Sequence, residues 1–97
     1  MKQPCVYIMS SSRNGTIYTG VTAYLSQRVY QHKTRQNKGF TEQYRCTLLV
    51  YYEQHSDMKH AIAREKQIKK YSRAKKIEII EKMNPDWHDL YQKIGHS

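Results

Sequence analysis

Acidic side chains are missing from the first 41 positions; the first is Glu42. Over all 97 residues, seventeen Lys and Arg stand against eight Asp and Glu, a formal charge of +9. Such an excess on a short chain repels itself unless a polyanion is at hand. Nucleic acid is the first candidate and an acidic membrane surface the second. Long apolar runs are also missing. No segment nears the roughly 20 apolar residues of a membrane span, so no membrane association is expected, and the opening MKQPCVYIMSSSR is too short and polar for a signal peptide. Cysteine is scarce: Cys5 and Cys46, without CxxC or patterned histidines, speak against a disulfide framework or zinc site and for reduced thiols in the cytoplasm. There is no Gly-rich phosphate loop, no Ser nucleophile arrangement, no His pair at metal spacing, no low-complexity segment and no internal repeat. A chain of this length is expected to form one domain, residues 1–97, around one modest core.

The charge that is present is uneven. Between Lys59 and Lys76 there are eight basic residues and one acid, Glu65, whereas the tail EIIEKMNPDWHDL holds four of the eight acids and is expected to face away from a polyanion. Residues 4–9 and 17–21 are β-branched or aromatic runs around SSSRNG, the pattern of a hairpin turning at Asn14-Gly15. AYLSQRVYQHKTRQ places Leu25, Val29, His32 and Gln36 at helical spacing, with Thr22 as an N-cap. TLLVYYEQ is apolar on both alternating faces and predicts a central strand covered on both sides. DMKHAIAREKQIKKY and SRAKKIEIIEKM predict two helices, the second capped by Ser72. Asn84-Pro85 then ends one helix and starts another, with Trp87, Leu90, Tyr91 and Ile94 as its buried face.

A turn centred on Asn14-Gly15 pairs Met9 with Gly20 and Ile8 with Val21. Cross-strand partners share a face, so Tyr7, Met9, Tyr18 and Gly20 lie on one side, and Val6, Ile8, Ile17 and Val21 on the other. Tyrosine is also simply a good strand residue. Arg28 and His32, four apart, share a helix face with Leu25 and Val29 that turns toward the sheet; taken singly, they also read as a snorkelling arginine and a half-buried histidine. Glu65 falls among Met58, Ala61, Ile62 and Ile68, inside an apolar stripe where an unpaired carboxylate is costly. Its cation is either Lys69 at i+4 or a divalent metal.

The ordered set of Val6-Tyr7, Tyr18-Thr19-Gly20, Arg28 ten residues after the second tyrosine, His32 four beyond, and Glu65 in AIAREKQIK resembles the GIY-YIG nuclease superfamily over nearly the whole chain. It is most similar to small stand-alone bacterial members and to the nuclease domain of bacterial excinuclease C. The resemblance implies an α+β fold, a small three-stranded antiparallel sheet flanked by helices. It further implies that Tyr7 and Tyr18 are the signature tyrosines, Arg28 the essential arginine, His32 an active-site position and Glu65 the metal ligand. Cys5 stands where the first motif usually has Gly, and Thr19 replaces Ile in the second. Val21 stands where the excinuclease domain carries a Lys. The family's active-site Asn would correspond to Asn84, which capping already explains.

These residues permit phosphodiester hydrolysis by in-line attack of water, with one Mg²⁺ (or Mn²⁺) on the single carboxylate. Tyr18 would be the base, a role that needs nearby cations because a free phenol ionises only near about pH 10. Arg28 would clamp the phosphate, and Tyr7 and His32 would orient the water or pass its proton outward. Arg13, Lys33, Arg64, Lys66, Lys69, Lys70, Arg73, Lys75 and Lys76 are the candidate nucleic-acid contacts. The expectation is thus a metal-dependent endonuclease acting on DNA ahead of RNA, in repair or processing of structured DNA. The alternative is a nucleic-acid-binding module without cleavage, partnering a larger repair complex.

Overall fold

In the computed structural model, which describes residues 2–34 and 45–94, the run CVYIMS is buried on both its faces. That strand, β1 (Cys5–Ser10), lies between β2 (Ile17–Thr22) and β3 (Leu48–Gln54) in an antiparallel sheet of order β2-β1-β3. The helices are α1 (Leu25–Thr34), α2 (Met58–Lys69) and α3 (Arg73–Met83), followed by a 3-10 turn at Leu90–Lys93. This is the α+β architecture that the resemblance implied. The predicted first helix reached Gln36, which lies outside the described residues.

Each sheet face has its own apolar layer. Val6, Ile8, Val50 and Tyr51 meet Ala61 and Ile68 of α2, Ile80 of α3 and Trp87 on one side. Tyr7, Met9 and Leu49 meet Val29 of α1, Cys46 and Leu90 on the other. β1 supplies both layers, which is why it reads as an unbroken apolar run.

The hairpin turns one residue earlier than Asn14-Gly15. The Gly15 N–H donates to the Ser12 carbonyl at 3.0 Å, the Ser11 N–H to Thr16 at 3.0 Å, and Asn14 takes the left-handed conformation at φ 59°, which Asn tolerates through its short polar side chain. Tyr7 therefore pairs with Gly20, Met9 with Tyr18 and Ile8 with Thr19, not with the partners expected. The difference is two residues on the partner strand. Side chains alternate with period two, so every face assignment survives it.

β3 is an edge strand and not the central one. Burial of both faces reflects the layers above and below a strand and says nothing about its lateral neighbours. Its pairing with β1 shifts between Ile8 and Met9: Tyr51 opposes Ile8 and Leu49 opposes Met9, leaving Val50 as a bulge. The C-terminal segment closes this edge. Asn84 Nδ2 donates to the Val50 carbonyl at 3.1 Å, and the Leu49 N–H donates to Asp89 Oδ1 at 3.2 Å.

Ser72 caps α3 as expected, accepting from the Lys75 N–H at 3.2 Å, and Asp57 caps α2 through the His60 N–H. Thr22 does not cap α1. Its hydroxyl accepts from the Tyr24 N–H at 3.0 Å, a local turn two residues on, while the Tyr24 carbonyl takes the first helical bond from Arg28. The helix expected after Pro85 is replaced by irregular chain, with Trp87 at φ 57°, and then the 3-10 turn. Asn84 is therefore not an N-cap. It is buried, and besides Val50 it bonds both the N–H and the carbonyl of His88, folding the chain back over β3. Trp87 and Leu90 are buried as expected.

Candidate active site

Tyr7 sits in the middle of β1 with its ring laid across Gly20 of β2. A Cβ built on Gly20 would stand 2.5 Å from both Cζ and the hydroxyl of Tyr7; lack of a side chain, not an unusual φ, is what this position requires. Sequence reasoning placed Gly20 in the motif without a role. Its place opposite Tyr7 was hidden by the expected register, which paired it with Met9; the available signal was only that Gly20 shares a face with both tyrosines.

The Tyr7 hydroxyl reaches α1, where it lies 3.0 Å from His32 Nε2. Tyr18, on the same sheet face, completes a triangle of rings: centroids are 6.4 Å apart for Tyr7 and Tyr18, 5.6 Å for Tyr7 and His32, and 5.5 Å for Tyr18 and His32. Arg28, one turn before His32, is close enough for its charge to act on the Tyr7 hydroxyl, and the Glu65 charge from α2 acts there too. His32 and Tyr18 thus contact Tyr7 while Arg28 and Glu65 act on it through their charge, and all five residues were named from the sequence.

Burial divides their roles. Tyr7 is 0 % exposed and His32 5 %. Desolvation, reinforced by Tyr18 and opposed by Arg28, pushes the Tyr7 phenol far above its ordinary value, so it stays protonated. Desolvation and then the Arg28 charge lower the His32 imidazole to about 4, so it is neutral near pH 7. A phenol that keeps its proton is the natural donor to Nε2, which puts the imidazole proton on Nδ1, a buried atom without a hydrogen-bond partner among the described residues. Tyr18 and Arg28 are only half-buried. The accessible surface of the cluster is theirs, with the Tyr7-His32 pair buried.

Glu65 has a side chain only 13 % exposed, and Lys69 Nζ approaches its Oε2 at 2.9 Å. The ion pair and the inward position thus occur together. Among the described residues no three His, Cys, Asp or Glu gather in a metal-binding group. One hard carboxylate oxygen among phenols, imidazole and guanidinium does not suit zinc, which takes three or four protein ligands. It suits Mg²⁺, which keeps most of its waters. Val21 packs with the layer on the opposite face from Tyr18.

The basic residues sort by partner. Lys33 is tied to Asp89 and to the Thr47 carbonyl, and lies 5.2 Å over the Tyr91 ring. Arg64 bonds Glu53 at 2.9 Å, Gln67 at 2.7 Å and the Tyr71 hydroxyl at 3.2 Å. Both are committed inside the fold. Arg73 holds the hairpin loop through the Asn14 and Gly15 carbonyls, at 2.8 and 2.7 Å. Lys75 lies 5.6 Å over Tyr71 and 3.7 Å from Glu78. Arg13, Lys66 and Lys70 are exposed and Lys76 partly so.

Residues 3–78 match the model of the GIY-YIG catalytic domain. Over 75 residues the chain is 37 % identical to UPF0213 proteins of Staphylococcus aureus strains Mu50 and N315, covering 77 % of this chain and 90 % of theirs. It shares its fold with a UPF0213 protein from Bacillus halodurans whose structure was solved in solution by NMR. The TM-score is 0.54 at 21 % identity, over 98 % of this chain and 99 % of that one.

Proposed function

This chain belongs to the GIY-YIG catalytic-domain family, and from that premise we propose that it is a metal-dependent endonuclease hydrolysing phosphodiester bonds in DNA. The observation that carries the reading is the contact of Tyr7, Tyr18 and His32, with the charges of Arg28 and Glu65 both acting on the buried Tyr7 hydroxyl. Packing alone requires neither a carboxylate nor a guanidinium there.

Arg28 binds a non-bridging phosphate oxygen and stabilises the charge that develops as water adds to phosphorus; its planar fork suits that task. Tyr18, the more exposed of the two tyrosines, acts once its own proton has been lost to solvent: its phenolate oxygen takes the proton of the attacking water as the new bond to phosphorus forms, the bond from phosphorus to the leaving oxygen breaks, and that oxygen takes a proton from solvent. Tyr7 and His32 hold Tyr18 and Arg28 in place from beneath. Glu65 would hold one Mg²⁺ or Mn²⁺, which when bound supplies Lewis-acid stabilisation of the phosphate and leaving oxygens. The exposed Arg13, Lys66 and Lys70 and the partly exposed Lys76 hold the backbone of the substrate.

One observation favours a second reading. The Lys69-Glu65 pair neutralises the carboxylate, as suits a nucleic-acid-binding module without cleavage that acts in a repair complex. Incubating the purified protein with plasmid, single-stranded and branched DNA in Mg²⁺, Mn²⁺ or EDTA separates the two. Products that require the divalent ion support the nuclease; binding without products in every condition supports the module.

A further inference from the structure

The rows of side chains on the Tyr7 face continue past the site. One row across the sheet is Gly20, Tyr7 and Tyr52; the next is Thr22, Cys5 and Gln54. Over that second row lies a cavity of about 450 Å³, bounded by Tyr24 and Gln27 at the start of α1, by Tyr52 and Gln54 of β3, and by Lys93 beyond the sheet. A smaller cavity of about 120 Å³ contains Arg28 and shares Tyr24 and Gln27 with it. The two adjoin at Tyr24 and Gln27, and the larger lies over the row two residues along the strand from Tyr7, roughly 7 Å at strand rise.

The lining suits one kind of guest. Its volume falls in the range of small-molecule pockets. Tyr24 is 51 % exposed, so its ring offers a face, and Tyr52 supplies a second aromatic wall. Gln27 and Gln54 carry amides, each with donors and an acceptor, able to match the edge of a base. Lys93 supplies a positive charge at the far end. Among the described residues no carboxylate lines either cavity, which favours an anionic ligand. Aromatic faces with amide edges and a cation are what an unpaired nucleotide binds. A base within a duplex, stacked on both sides, could not enter.

We propose that this chamber is a nucleotide subsite that takes one unpaired base next to the scissile phosphate, so that the substrate is a strand with an unstacked nucleotide at the cut. The proposal rests on the nuclease reading for the word scissile, but the subsite itself is a matter of binding. It is therefore tested in EDTA, where no cleavage is involved. Binding of a fluorescent single-stranded oligonucleotide carrying 2-aminopurine, of a duplex with one bulged 2-aminopurine, and of the fully paired duplex is compared at one salt concentration. The expected result is about five- to hundredfold tighter binding of the two unpaired ligands, the span of one base-aromatic stack, with the fluorescence quenched on binding. In Tyr24→Ala and in Gln54→Ala, both at solvent-accessible positions, the ratio of unpaired to paired affinity should fall toward one. Equal affinity of the wild type for all three ligands, or an unchanged ratio in both variants, would overturn the subsite. Deoxyadenosine monophosphate provides a further arm. If the free nucleotide bound more tightly than the oligonucleotide, the chamber would serve a free effector and the assignment to the substrate strand would fail. None of these outcomes depends on whether cleavage occurs.

Discussion

His32 is the residue whose environment makes the sharpest demand on solution conditions. Its imidazole is lowered to about 4 by burial and by Arg28, whereas in the unfolded chain it titrates near the ordinary value of about 6.5. Above about pH 6.5 neither state is protonated and His32 costs nothing. As pH falls from about 6.5 toward 4, the unfolded state takes up a proton that the folded state refuses, so stability is lost across that window, by about 3 kcal/mol in all. Urea unfolding followed at about pH 7.5, above that window, and about pH 4.5, near its lower end, should show most of this loss for the wild type and a smaller one for His32→Gln; an equal loss in both would contradict the buried neutral imidazole. Lys69 makes a second demand. If it competes with the metal for Glu65, Lys69→Ala should reach half-maximal cleavage at about two- to fivefold lower Mg²⁺, the span expected of a partly exposed ion pair worth about 0.5–1 kcal/mol. A higher Mg²⁺ requirement would mean that Lys69 assists the site.

Among elements, the C-terminal segment carries most of what the sequence concealed. Asn84 makes three hydrogen bonds, to Val50 and to both main-chain groups of His88, and each partner left unsatisfied in a buried place costs about 1–3 kcal/mol. Asn84→Ala should lower stability by about 2–4 kcal/mol in urea titrations, while Tyr7, Tyr18, Arg28 and Glu65 stay in place and the remaining folded fraction keeps its specific activity. Full stability with lost cleavage would instead make Asn84 part of the chemistry. The sequence could not separate these roles, because Asn-Pro is a good local boundary signal and the bulge at Val50 that Asn84 serves lies 34 residues away. The hairpin shows the opposite case. Its turn was placed one residue late, yet the shared face of Tyr7 and Tyr18 was legible, because an even slip in partners leaves parity intact. The edge position of β3 was not legible, since strand order is set by contacts that no local pattern records.

At the scale of the molecule, the five site residues were legible because strand parity, helical spacing and an ordered motif agree on them. The binding surface was less so: Lys33 and Arg64 count toward the charge of +9, but their partners Asp89 and Glu53 lie 56 and 11 residues away. The exposed Lys66 and Lys70 share a face of α2, four residues apart, and with Arg13 and Lys76 they would make about four phosphate contacts. The slope of log affinity against log salt should then be about −3 to −4 for duplex or single strand. A slope near zero would detach the charge from nucleic acid. In the proposed nuclease Tyr18 and Glu65 act on one phosphate. Cleavage by Tyr18→Phe, Glu65→Gln and the double variant in Mg²⁺, with folding checked by circular dichroism and DNA binding measured alongside, tests this. Each single variant should fold, bind DNA and cleave about two to four orders of magnitude more slowly, and the double variant should be little worse than either; wild-type rates in both single variants would contradict a nuclease built on these residues.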